Sequence, residues 1–108
     1  MVVIVNKDNF KKEVIQSKIP VIIDFYASWC GPCQMVSPVF ESLSEKYTGK
    51  LKFVKVNTDE DSELASEYGV QGIPCLIILN RGKEMDRIIG YMNESSLKNS
   101  IDKILKGV

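Results

Sequence analysis

The segment Val21-Ile22-Ile23-Asp24-Phe25-Tyr26 is a nearly continuous apolar run of strand length. A strand with water on one side alternates apolar and polar side chains. So unbroken a run belongs to a central strand covered on both faces, as in the sheets of α/β proteins. Such a strand requires helices on each side, and the rest of the chain supplies them. Val2 to Val5 is a short β-branched run, and Asn6 is placed to cap a helix whose inward face is Phe10, Val14 and Ile15. After Cys30-Gly31-Pro32, the residues Val36, Val39, Phe40, Leu43 and Tyr47 recur at three- and four-residue steps and share one side of a helix. Pro32 suits the first helical turn, where a missing N–H costs nothing. Pro38 lies inside the pattern, removes a backbone donor and predicts a kink.

Leu51 to Val56 reads as the next strand, with Leu51, Phe53 and Lys55 on one face and Lys52, Val54 and Val56 on the other. A capping signal at Asp61 or Ser62 opens a short helix through Leu64, Ala65 and Tyr68, which Gly69 is placed to close in the left-handed conformation. Cys75 to Leu79 is a second buried run. Asn80-Arg81-Gly82 then supplies turn chemistry before a more polar strand from about Glu84 to Ile89, an antiparallel hairpin. Asn93 caps a last helix whose stripe of Leu97, Ile101, Ile104 and Leu105 has the spacing of core packing. Strand-helix alternation followed by a hairpin and a final helix predicts an α/β sandwich around a mixed sheet with an antiparallel edge strand. No repeat, low-complexity tract or linker interrupts it, and 108 residues suit one compact domain over 1–108.

Lys plus Arg and Asp plus Glu both number 14, so no net field draws in nucleic acid or an anionic membrane. The N-terminal apolar run has no basic leader and stops short of a signal-peptide core or a membrane span, which predicts a cytoplasmic protein. Three cysteines make an odd count, and a reducing cytosol opens structural bridges. Any disulfide in this chain is expected to be transient and catalytic.

Cys30-Gly31-Pro32-Cys33 gives that expectation a place, because this C-x-x-C follows a predicted strand and opens a predicted helix. Two intervening residues let the sulfurs meet. The helix N-terminus presents unpaired N–H groups and a positive dipole end, which favour a thiolate on Cys30 as nucleophile. Cys33, inside the first turn, is less accessible but close enough to attack a mixed disulfide formed at Cys30, which makes it the resolving thiol. A structural zinc site needs about four ligands. With no histidine and only Cys75 besides the pair, the chain would need a carboxylate or a second chain to complete one, so no metal is expected. A purely structural disulfide is disfavoured too, since so short a loop constrains little of the unfolded chain.

Trp29-Cys30-Gly31-Pro32-Cys33 resembles the active-site motif of thioredoxins, and the resemblance extends along nearly the whole chain through Asp24, Pro38, Lys55, Gly72-Ile73-Pro74 and Gly90. It implies the thioredoxin fold, a central mixed sheet of about five strands flanked by about four helices. It also implies a protein-disulfide reductase with no bound cofactor, recharged with electrons from NADPH by a thioredoxin reductase, and disulfide-containing proteins as clients. Asp24, alone among apolar neighbours, needs a compensating partner or a purpose. By itself it reads as a structural ion pair or an exposed strand-end residue. The resemblance implies instead that Asp24 relays a proton for the resolving thiol, with Lys55 near it. Sequence alone favours a trans Ile73-Pro74 bond, since only about 5 to 6% of X-Pro bonds are cis in folded proteins. The resemblance implies a cis Pro74 packed against the cysteines. Trp29, Gly31, Pro32, Ile73, Pro74, Gly90 and Tyr91 would then form a shallow apolar rim for substrate.

Three positions depart from the commonest thioredoxin pattern: Gln34 replaces a basic residue, Tyr26 a Trp, and Cys75 a Thr. Gln34 removes a local positive charge. Cys75 reads as a small buried strand residue, with a third redox role as its alternative. For the chain as a whole, a redox-independent binding subunit using the same rim is the rival to the reductase. No unpaired heptad or extra apolar helix face is evident, so a monomer is expected.

Overall fold

The computed structural model of the chain describes residues 1–108. Its strands are β1 (Val2–Ile4), β2 (Val21–Tyr26), β3 (Lys52–Asn57), β4 (Cys75–Asn80) and β5 (Lys83–Ile89). They form one five-stranded sheet in the order β1-β3-β2-β4-β5, which puts the apolar run in the middle. β1 and β2 both run parallel to β3, while β4 runs antiparallel to both β2 and β5. The reversed strand is therefore the internal β4. The edge strand β5 is antiparallel to its neighbour, as expected, but points the same way as β2, because a hairpin added to a reversed strand restores the original direction.

Alternation along β2 divides the core in two. Val21, Ile23 and Phe25 pack with Val54, Val56, Ile77 and Leu79 beneath Phe10, Val14, Leu64 and Ala65. These last four come from a short π-helical turn (Lys11–Ile15), the residue before it, and a short helix, α2 (Ser62–Glu67). Ile22 packs with Phe53, Leu76 and Ile78 on the opposite face, beneath Val36, Phe40 and Leu43 of α1 (Gly31–Lys46) and Leu97 and Ile101 of α3 (Glu94–Leu105). Asp24 shares the period-two face of Ile22 and so points into the α1 layer. Pro38 does not end α1, although it deprives the Gln34 carbonyl of its helical donor.

Local chemistry accounts for the ends of these elements. The Asn6 side chain closes the turn after β1 by accepting from the N–H groups of Asp8 and Asn9 at 2.9 and 3.3 Å. Ile15 departs from expectation: it is 38% exposed and lies along Gly82. The inward face of so short a helical turn is filled by Phe10 and Val14, leaving Ile15 at its outer edge. Asn93 caps α3 by accepting from Ser96 N–H at 2.9 Å, a contact of the kind worth about 1 kcal/mol. Arg81 and Gly82 both have positive φ, 54° and 82°, the backbone of a tight two-residue hairpin turn. No helix is long and apolar enough to cross a membrane.

Candidate active site

β2 ends at Tyr26, and Ala27-Ser28-Trp29 turns the chain so that Cys30 becomes the N-cap of α1, in extended conformation with φ −87° and ψ 115°. Cys33 lies in the first turn and is joined to Cys30 by a disulfide, with the Cα atoms 5.2 Å apart. The Cys33 N–H donates to Cys30 Sγ at 3.2 Å. On reduction this N–H and the helix dipole both favour negative charge on the Cys30 sulfur. Pro32 occupies a position whose N–H would have no helical acceptor.

Burial alone does not separate the two cysteines, since Cys30 is 5% exposed and Cys33 3%. Their surroundings do. Cys30 Sγ lies 4.0 Å from the Ile73 carbonyl, a van der Waals contact while the sulfur is disulfide-bonded and has no proton to donate. The Ile73-Pro74 peptide is cis, and Gly90, at φ 93°, brings its N–H to the Pro74 carbonyl at 2.9 Å. Side chains at Trp29 and Tyr91 stand exposed beside this surface, and the Trp29 indole N–H donates to Asp59 Oδ2 at 2.9 Å. Cys33 instead borders a crevice of about 120 Å³ together with Tyr26, Ser37 and Lys55.

Asp24 is fully buried, and neither carboxylate oxygen has a hydrogen-bond partner. Burial pushes its pKa up to about 7, and Lys55, directly opposite on β3, opposes the rise. The two residues are thus brought together in register but form no direct bond. The Lys55 ammonium donates to Ser37 Oγ at 3.2 Å and sits 4.4 Å from the centre of the Tyr26 ring.

This chain matches the thioredoxin family model over residues 1–103. It is 45% identical to Thioredoxin 1 of Nostoc sp. over 101 residues, 94% of each chain. With Thioredoxin 1 of Synechococcus elongatus it shares 47% identity over 96 residues, 89% of this chain and 90% of that one. It is also 43% identical to the chloroplastic M-type thioredoxin of Chlamydomonas reinhardtii, over 94% of this chain and 72% of the relative. The protein belongs to the thioredoxin family.

As a thioredoxin-family member with its C-x-x-C cysteines at bonding distance, it is a thiol-disulfide oxidoreductase that reduces protein disulfides through a reversible dithiol. Members of this family carry their redox chemistry in the dithiol and need no bound cofactor. No three of the His, Cys, Asp and Glu side chains converge as a metal site would require.

Two side chains near this thioredoxin site had no assigned part in the sequence reading. Ser37 stands one helical turn after Cys33, and that four-residue spacing on an expected helix was signal enough to put both on one face. Asp59, the partner of the Trp29 indole, follows β3 in a loop, and no spacing rule connects it to Trp29. Gln34 has exchanged charge for a tether: its amide Nε2 donates to the Ser28 carbonyl at 2.8 Å, tying the turn before Cys30 to the first turn of α1.

Cys75 is 1% exposed and packs with Phe25 and Ile77, in the cluster on the face away from Asp24. Burial pushes its thiol pKa up, with Arg87 partly offsetting the effect. In native reduced protein, iodoacetamide is expected to modify Cys75 at least roughly tenfold more slowly than Cys30, because a shielded thiol yields little thiolate. Equal rates, read by mass spectrometry of the digested protein, would restore the third-redox-cysteine reading.

Proposed function

We propose that Cys30 is the nucleophile and Cys33 the resolving thiol of this protein-disulfide reductase. The position of Cys30 at the α1 N-cap, accepting the Cys33 N–H, carries the assignment. The Cys30 thiolate attacks one sulfur of a client disulfide. A Cys30–client bond forms, the client S–S bond breaks, and the leaving client thiolate takes a proton from solvent. Cys33 then loses its proton and attacks Cys30 Sγ, forming the Cys30–Cys33 disulfide and expelling the second client thiolate, which is protonated in turn. Two electrons pass from the dithiol to the client.

Asp24 is the acceptor for the Cys33 proton in this reading, with Lys55 moderating its charge. A carboxyl titrating at about 7 is poised to exchange protons at neutral pH, whereas an ordinary carboxylate is a weaker base there. Trp29, Gly31, Pro32, Ile73, Pro74 and Gly90 make the client rim, where the exposed indole and the Ile73 carbonyl beside Cys30 offer apolar contact and a backbone acceptor. A separate thioredoxin reductase returns electrons from NADPH. The protein works as a monomeric single domain over 1–108 in the cytoplasm, where clients with reducible disulfides arise transiently.

The wild-type protein, supplied with NADPH and a thioredoxin reductase, is expected to reduce insulin disulfides and to sediment at the mass of one chain, 12.2 kDa. Its reduction potential is expected near about −270 mV, the reference value for thioredoxins themselves. A potential near about −120 mV, typical of a strong periplasmic oxidant, would overturn the assignment as a reductant.

A further inference from the structure

Lys55 and Asp24 occupy paired positions on parallel neighbouring strands, and adjacent strands lie only about 4.8 Å apart. A lysine stem can cross that distance, and a buried carboxyl with two unpartnered oxygens is a strong attractor for an ammonium. Yet the Lys55 ammonium is engaged elsewhere. The Ser37 hydroxyl accepts from it at 3.2 Å, and the face of the Tyr26 ring lies 4.4 Å away, so one polar and one aromatic contact hold the charge on the crevice side. Ser37 can do this because it sits one turn beyond Cys33 on α1, on the wall of the crevice that Cys33 and Lys55 also border.

We propose that Ser37 is a positioning residue that, with the Tyr26 ring, holds the Lys55 ammonium off the Asp24 carboxyl and thereby sets how readily Asp24 takes the Cys33 proton. The last clause rests on the proposed role of Asp24, while the placement of Lys55 does not. The other titratable groups that interact electrostatically with Asp24 are the Tyr26 phenol on its own strand and the Cys75 thiol on β4, while the Cys33 thiol of α1, once reduced, borders the crevice that Lys55 lines. Lys55 is the one cation among them, so where its charge sits decides the balance against burial. Ser37 itself makes no hydrogen bond to either sulfur. Its influence runs through Lys55.

The test is a carboxyl carbon NMR titration of Asp24 in the oxidised protein, which needs no turnover. Ser37→Ala is expected to release Lys55 toward Asp24 and lower the Asp24 midpoint by about one pH unit, the scale of a newly close opposite charge. Ser37→Thr keeps the hydroxyl and should restore the wild-type midpoint. In a Lys55→Met background, Ser37→Ala should have no effect. A wild-type midpoint in folded Ser37→Ala would overturn the proposal, as would a shift of the same size without Lys55. The pH profile of mixed-disulfide resolution, measured on the same variants in single-turnover mode, should move with the midpoint. If the midpoint moves and the profile does not, Ser37 still positions Lys55 but Asp24 is not the base. If the profile follows Asp24 while Ser37→Ala leaves the midpoint unmoved, Asp24 keeps its role and Ser37 loses the one assigned here.

Discussion

Cys30→Ser is expected to remove disulfide-reductase turnover, and Cys33→Ser to stop the reaction one step later with the client still attached. The difference follows from position. Cys30 is the N-cap of α1, where the Cys33 N–H and the helix dipole favour its thiolate, and it faces the Ile73 carbonyl at the rim. A serine hydroxyl there is not ionised near neutral pH, so no first attack occurs. The loss should be on the order of 10⁴-fold or more, the scale on which a covalent nucleophile contributes. In Cys33→Ser the first attack is intact, but nothing remains to break the Cys30–client bond, so one equivalent of client accumulates in a mixed disulfide. Insulin reduction measures the first loss, and non-reducing gels with mass spectrometry detect the trapped adduct. Turnover by Cys30→Ser at the wild-type rate would assign the chemistry elsewhere. An adduct that formed through Cys33 in place of Cys30 would reverse the two roles. Full retention of a cellular phenotype by the inactive Cys30→Ser protein would instead favour the binding-subunit reading.

Residues whose environment is dictated by neighbours in sequence were legible before any coordinates. Val21 to Tyr26 announces a doubly covered strand, and the three- and four-residue steps from Val36 to Tyr47 announce the helix that covers it. Gly69 closes α2 at φ 61°, as its place after Tyr68 suggests. The direction of β4 was less accessible, because periodicity fixes which face a side chain takes and says nothing of which way a strand runs. The cis peptide before Pro74 came only through the family resemblance, since no local rule favours cis over trans at an Ile-Pro step. Asp24 was recognisable as an anomaly. Its lack of any partner was not, because the lysine expected beside it is drawn off by Ser37 and Tyr26, a three-way competition settled by tertiary geometry.

That unpartnered carboxyl has the largest consequence for stability. Asp24→Asn is expected to stabilise the protein by roughly 4 kcal/mol above pH 7 and by little at low pH. The sign follows from the direction of the shift. Burial raises the folded-state pKa from 3.8 to about 7, against the pull of Lys55, so the native state holds this proton more tightly than the unfolded chain does. The resulting stabilisation is fully present below 3.8, declines as pH rises through the window up to about 7, and is gone above it, where the folded protein carries an ionised carboxylate with no hydrogen bond. An asparagine of nearly the same shape has no charge to desolvate, so its stability should not follow this decline. The gain over wild type should therefore grow across the same window, and denaturant melts at pH 5 and pH 8.5 would measure it. An equal gain at both values would mean that packing, and not ionisation, separates the two side chains. Catalysis should move the other way: without its proton acceptor, Cys33 should resolve the mixed disulfide about 100-fold more slowly at neutral pH, the lower end of what general-base catalysis contributes. Client capture by Cys30 should be unaffected, because Asp24 is fully buried and offers a client no surface. Single-turnover kinetics separate capture from resolution, and wild-type resolution throughout neutral pH would leave Asp24 a cost in stability with no catalytic return.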